Sequence, residues 1–205
     1  QLADAHLRLS EGQGAELMWR DSRDKRLAPL DALKIYALKT APAFEAALLG
    51  GLRCAGPLDE LAVPMKQFSK YMGIAFQILN DLKDWQVDQD NKLSAGLDAL
   101  AGRPTLLWAL ALESLSDEQQ QELIELADSN SDTSDRLARV EQLYRQADVF
   151  GKANALVDKY QERAERIADE IQPESLRRLL YYLVDSVLER SAEPTIAVVQ
   201  PTLPA

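Results

Sequence analysis

The chain has 205 residues, of which 46% are hydrophobic and 27% charged, and a net charge of −10. That is enough apolar residue for a sizeable core, and the negative balance with dispersed Lys and Arg argues against a nucleic-acid surface. One cysteine, Cys54, excludes an internal disulfide framework, no apolar run approaches a membrane span, and the first residues do not read as a secretory signal, so a cytoplasmic protein is expected.

From Leu2 to about Trp19 the apolar residues keep helical spacing, interrupted by Gly12 and Gly14. Each glycine costs about 1 kcal/mol relative to alanine in a helix, so close approach of a backbone or ligand is the expected reason for them. The polar stretch 21–26 connects to a second helix, which opens near Pro29 and runs to Leu49 with a kink predicted just after Lys39-Thr40, because Pro42 falls inside it. Gly50-Gly51 and Gly56-Pro57 break the pattern.

A third helix is predicted from about Leu58 to Trp85, and its end is where polar chemistry gathers. Gln77, Asp81, Asp84 and Asp88 are spaced by four, three and four residues, which places them in one stripe on a helix whose other positions are apolar. Carboxylates set among such residues are costly unless something pairs them, and a hard divalent cation such as Mg²⁺, held by one or two carboxylates plus substrate phosphates, would do so. They also sit at the unfavourable end of the helix dipole. The bland alternative is that the acids mark the point where the helix leaves the core for solvent.

Residues 88–102 read as a polar loop, and 105–115 as a buried helix with Pro104 close to its start. Asp117–Ala127 follows a Ser116-x-x-Gln119 capping pattern, and three more amphipathic helices span 134–149, 152–171 and 173–190. The fold class is all-α, with one helical domain over 1–190 and a Pro-containing flexible tail over 191–205. His6 and the acids from Asp117 to Asp135 read as solvated, and Trp19, Trp85 and Trp108 as core or helix-end packing.

Several stretches together resemble the C-terminal part of the trans-isoprenyl diphosphate synthases, or polyprenyl synthetases. Gly12-Gln13-Gly14-Ala15-Glu16-Leu17 is similar to that family's Gly-Gln-x-x-Asp-Leu helix, and Lys39-Thr40-Ala41-Pro42-Ala43-Phe44 to its Lys-Thr-Ala-Pro-Leu-Phe segment. Gly73 to Asp84 resembles the helix ending in the second aspartate-rich motif, Asp-Asp-x-x-Asp. Lys92, Gly96-x-Asp98 and Gly102-Arg103-x-Thr105 resemble the loop after it, and the late helices around Tyr160, Ala164 and Tyr181 to Arg190 also fit.

The resemblance implies an isoprenoid-synthase-type helical bundle around a deep cavity, with magnesium ions bridging acidic motifs to an allylic diphosphate. Pyrophosphate leaves, isopentenyl diphosphate attacks the allylic cation, and proton loss gives a chain one isoprene unit longer; a homodimer or heteromer is implied. It further implies Asp81, Asp84 and Asn80 at metal-binding positions, Asp81 and Gln77 near the reaction, Lys39 and Lys92 on the diphosphate, Thr40 beside the reacting carbons, Gln13 and Glu16 lining the cavity, and Arg103 where a second lysine is usual.

The departures bear on function. Asn80 stands for the first acid of the second motif, and a neutral amide is a weaker ligand than a carboxylate. No two aspartates are adjacent anywhere, so the family's first aspartate-rich motif is missing; Arg177-Arg178 does not replace its arginine pair, and the family's opening helices would precede Gln1. Three readings stay open: the C-terminal portion of an active synthase, a degenerate homologue that binds prenyl diphosphates or regulates a partner synthase, and a helical interaction module.

Overall fold

A computed structural model describes residues 2–85, 96–129 and 132–190. Ten α-helices are described: α1 (Leu2–Asp21), α2 (Pro29–Lys39), α3 (Ala41–Ala55), α4 (Ala62–Lys83), α5 (Leu97–Leu100), α6 (Leu106–Ser114), α7 (Asp117–Asp128), α8 (Thr133–Gln146), α9 (Val149–Asp169) and α10 (Glu174–Val187). A 3-10 turn, Asp59–Leu61, precedes α4, and no strand occurs among the described residues. The all-α expectation holds. The tail from 191, with Asp88 and Lys92, lies outside the described residues.

The longest helix, α4, is the axis of the bundle: it packs along α9 and α3 and also touches α2 and α6. Its buried residues Met65, Phe68, Met72, Ala75 and Ile78 meet Val149, Ala153, Val157 and Ala164 of α9 in one continuous core. α6 is apolar on every side, and Leu106 to Leu112 are all buried, as such a helix requires. Helix α1 lies over α2 and α3, α10 over α9, and α7 pairs with α8.

Two crossings depend on glycine. A Cβ on Gly73 would stand 2.6 Å from Ala41 Cα, so α3 and α4 touch backbone to backbone, and one on Gly12 would stand 2.5 Å from Lys39 N. The close approach expected at the paired glycines of α1 is therefore met at Gly12, whereas Gly14 faces open space.

The expected kink at Pro42 is a full break. α2 ends at Lys39, Thr40 takes a non-helical φ of −127°, and α3 restarts with Pro42 in its first turn, where its missing N–H costs nothing. The break lets α3 turn away while Lys39 and Thr40 stay at the corner. The third helix starts at Ala62 rather than Leu58, and the described part of the expected loop folds into α5, which opens on Gly96 at φ 79°. The capping box at Ser116 and Gln119 is present as the sequence indicates.

Candidate active site

Three chain segments meet at the corner between α2 and α3. Lys39 Nζ donates to Glu16 Oε2 of α1 at 2.8 Å, each side chain only about one-sixth exposed. Beside it, Thr40 Oγ1 donates to Gln77 Oε1 at 3.2 Å, and Gln77 Nε2 donates to Asp81 Oδ1 at 3.2 Å. Glu16, Lys39, Thr40, Gln77 and Asp81 thus form one polar row across α1, the α2–α3 corner and α4.

At the inner end of the row Asp81 is 3% exposed. Its Oδ2 accepts the Tyr36 phenol, and Leu106 N, at the open N-terminus of α6, approaches the same oxygen at 3.4 Å. Leu106 N also donates to Tyr36 Oη at 2.6 Å. Burial raises the Asp81 carboxyl to about 6, against the lowering pull of Tyr36, Gln77, the Lys39 charge and Leu106 N–H. Burial, with the Asp81 charge beside it, holds the Tyr36 phenol well above its ordinary range.

One turn further on, Asp84 is half-buried. Its Oδ2 accepts the Asp98 N–H at 3.2 Å and its main-chain oxygen accepts Gly96 N at 2.7 Å, so residues 96–103 fold back onto the end of α4. Gly96 lies under the Trp85 ring, which packs on Tyr144 and Phe150. Burial first, then the Asp98 carboxylate, raises the Asp84 carboxyl, while Asp98 N–H and Arg103 oppose the rise. Arg103 pairs with Asp98 at 3.0 Å.

Of the site residues expected from sequence, Glu16, Lys39, Thr40, Gln77 and Asp81 come together, and Asp84 and Arg103 form a second group through Asp98. Gln13 and Asn80 are exposed, and neither joins the row. Sequence reasoning missed Tyr36, which occupies a buried position on an ordinary amphipathic helix, and gave no role to Asp98. The only signal for Tyr36 was a phenol on the α2 face shared with Lys39, one turn before it.

The donor set does not make a magnesium centre on its own. Each Asp81 oxygen already accepts from a protein donor, Asn80 offers a neutral amide, and Asp84 Oδ2 accepts a backbone N–H. Among the described residues no three His, Cys, Asp or Glu side chains gather to hold a metal ion.

An all-α bundle with this row at the corner of its central helix matches a known family: residues 1–146 fit the polyprenyl synthetase model, and the chain belongs to that family. It is 32% identical over 160 residues to an all-trans-nonaprenyl-diphosphate synthase of Rhodobacter capsulatus, covering 77% of this chain and 48% of the relative. In fold it is similar to a geranylgeranyl pyrophosphate synthetase from Pyrococcus horikoshii (TM-score 0.81, 20% identity, 93% of this chain and 57% of the other). It is also similar to a geranylgeranyl pyrophosphate synthase from Corynebacterium glutamicum complexed with isoprenyl diphosphate and magnesium (TM-score 0.79, 22% identity, 92% and 55%). The chain spans 57%, 48% and 58% of the first three curated relatives it matches, about half their length. No helix among the described residues is long and apolar enough to cross a membrane.

Proposed function

We propose that this chain forms the diphosphate-holding part of a prenyltransferase that joins isopentenyl diphosphate to an allylic prenyl diphosphate and releases pyrophosphate. The observation that carries this reading is the row from Glu16 to Asp81, with the Lys39 ammonium mostly shielded from water at its outer end. A cation in a poorly solvated setting binds a diphosphate more strongly than one in water, because both Coulomb attraction and charge-assisted hydrogen bonds strengthen there. The same attraction grows as the leaving group gains charge, so it favours the transition state over the ground state.

Glu16 keeps Lys39 extended toward the corner. On substrate binding the ammonium exchanges or shares that carboxylate with a phosphate oxygen, while Thr40 and Gln77 supply the neutral polar lining and the flanking apolar helices exclude water from the allylic cation. Arg103, exposed and paired with Asp98, can exchange that carboxylate for a diphosphate oxygen, and Lys92, Gln13 and Glu16 complete the substrate contacts in this reading. Magnesium belongs to the proposal as an ion carried with the diphosphate, where it would neutralise leaving-group charge.

A second reading, a homologue that binds prenyl diphosphates without turning them over or that serves a partner synthase, is favoured by Asn80 and by the enclosure of Asp81. One relative is a heptaprenyl diphosphate synthase component 2 of Geobacillus stearothermophilus, and a cytoplasmic dimer or heteromer suits either reading. Incubation with Mg²⁺, isopentenyl diphosphate and a series of allylic diphosphates separates them. Release of pyrophosphate with an elongated product supports the transferase; saturable binding without turnover, in the chain alone and with partner synthases, supports the second.

A further inference from the structure

Asp81 occupies a motif position that the family resemblance gives to metal, yet its surroundings are those of a structural carboxylate. It is 3% exposed and Tyr36 is 1% exposed. The Tyr36 hydroxyl donates to Asp81 and accepts from Leu106 N, so a single phenol ties together α2, α4 and the first residue of α6. Leu106 N is one of the donors that a helix start leaves without an intrahelical partner, and Asp81 places its charge at that same end of α6. Every polar atom in this knot has a partner within the protein.

The arrangement also sets the row outside it. Because Asp81 Oδ1 accepts from Gln77 Nε2, the Gln77 amide is turned so that its oxygen faces Thr40, and the Thr40 hydroxyl proton is directed to that oxygen. Asp81 Oδ2 is taken up by Tyr36 and Leu106 N, so a cation drawing on Asp81 has only the remaining lone pair of the buried Oδ1, beside the Gln77 Nε2–H it would repel, or must displace a donor and leave a buried polar group unpaired.

We propose that Tyr36 is a positioning residue that commits Asp81 to locking α2, α4 and α6 together and to orienting Gln77 and Thr40, and that Asp81 is not a metal ligand in this chain. Any carboxylate contact with a metal from the second acidic motif then falls to Asp84, with Asn80 offering only its neutral amide oxygen. The part of the proposal that concerns diphosphate rests on the function proposed above; the lock does not.

The test uses the full chain and the variants Tyr36→Phe, Asp81→Asn and their combination, with Asp84→Asn for comparison. Thermal unfolding should show each single variant melting roughly 3–8 °C lower and the double variant melting less than the sum lower, because both disturb the shared Tyr36–Asp81 bond. Calorimetric titration with inorganic pyrophosphate at stepped Mg²⁺ gives the second readout. Tyr36→Phe should weaken pyrophosphate about tenfold through the displaced Gln77 and Thr40, while Tyr36→Phe and Asp81→Asn leave the Mg²⁺ concentration for half-maximal binding unchanged and Asp84→Asn raises it. A Mg²⁺ requirement raised about tenfold or more by Asp81→Asn overturns the assignment, as does additivity in the melting cycle. If the wild type binds no pyrophosphate, the functional reading fails and the lock stands or falls on the cycle alone.

Discussion

Lys39 and Asp81 belong to one polar row and behave in opposite ways. The ammonium is held at the rim by a carboxylate it can exchange, whereas the carboxylate is sealed among donors it cannot leave. Asp81 therefore leaves a pH signature. Its folded-state pKa, about 6, stands above the ordinary 3.8, so the native state holds the proton more tightly than the unfolded chain does. Its stabilising contribution is complete below the ordinary value and is lost as pH rises through about 6. The stability advantage of wild type over Asp81→Asn, measured by urea unfolding, should shrink between pH 4 and pH 7; an advantage that grows with pH would mean that the fold needs the charged form. Much of this residue scale is legible in the sequence: Gln77 and Asp81 stand out by type and spacing, and Lys39 and Thr40 by the segment's resemblance to the family's Lys-Thr-Ala-Pro stretch. Tyr36 did not, because nothing in a one-dimensional pattern separates a tyrosine that fills a core from one that donates inside it.

At the scale of elements, short local rules set most of the boundaries. Pro42 forbids a continuous helix and Gly12 and Gly73 permit close crossings, so the corner bearing Lys39 and Thr40 is pinned from both sides, by α1 and by α4. Two glycines two residues apart on α1 separate the structural from the incidental. Gly12→Ala should cost about 1–3 kcal/mol by driving α1 off the Lys39 backbone, and should weaken pyrophosphate binding with it. Gly14→Ala, with nothing near, should stabilise by roughly 0.5–1 kcal/mol in the same urea titrations. Equal effects at the two positions would show that the crossing is not tight. The helices themselves were readable from periodicity, and the break at Thr40 was foreseen as a kink because proline chemistry says where a helix is disturbed without saying how far the chain then turns. Folding of 97–100 into α5 was missed, because its support comes from Trp85 and Asp84, distant in pattern though close in space.

Across the whole molecule the distribution of apolar surface is uneven. Leu7 and Met18 are 60% and 78% exposed on one face of α1, with Gly14 between them, while Leu106 to Leu112 of α6 are all buried. Sedimentation should show self-association that Leu7→Ser with Met18→Ser weakens; a wild-type chain monomeric at every concentration would show that this face is not adhesive. With a net charge of −10 on the chain, the diphosphate proposed at Lys39 has to be held locally, against the average field. The central claim, that this corner holds a diphosphate through Lys39, is tested most directly by calorimetric titration of wild type and Lys39→Ala with an unreactive allylic thiodiphosphate in Mg²⁺. Saturable binding to wild type that falls about a hundredfold in Lys39→Ala, with helicity unchanged, is the expected result. Equal affinity in the two proteins would contradict it.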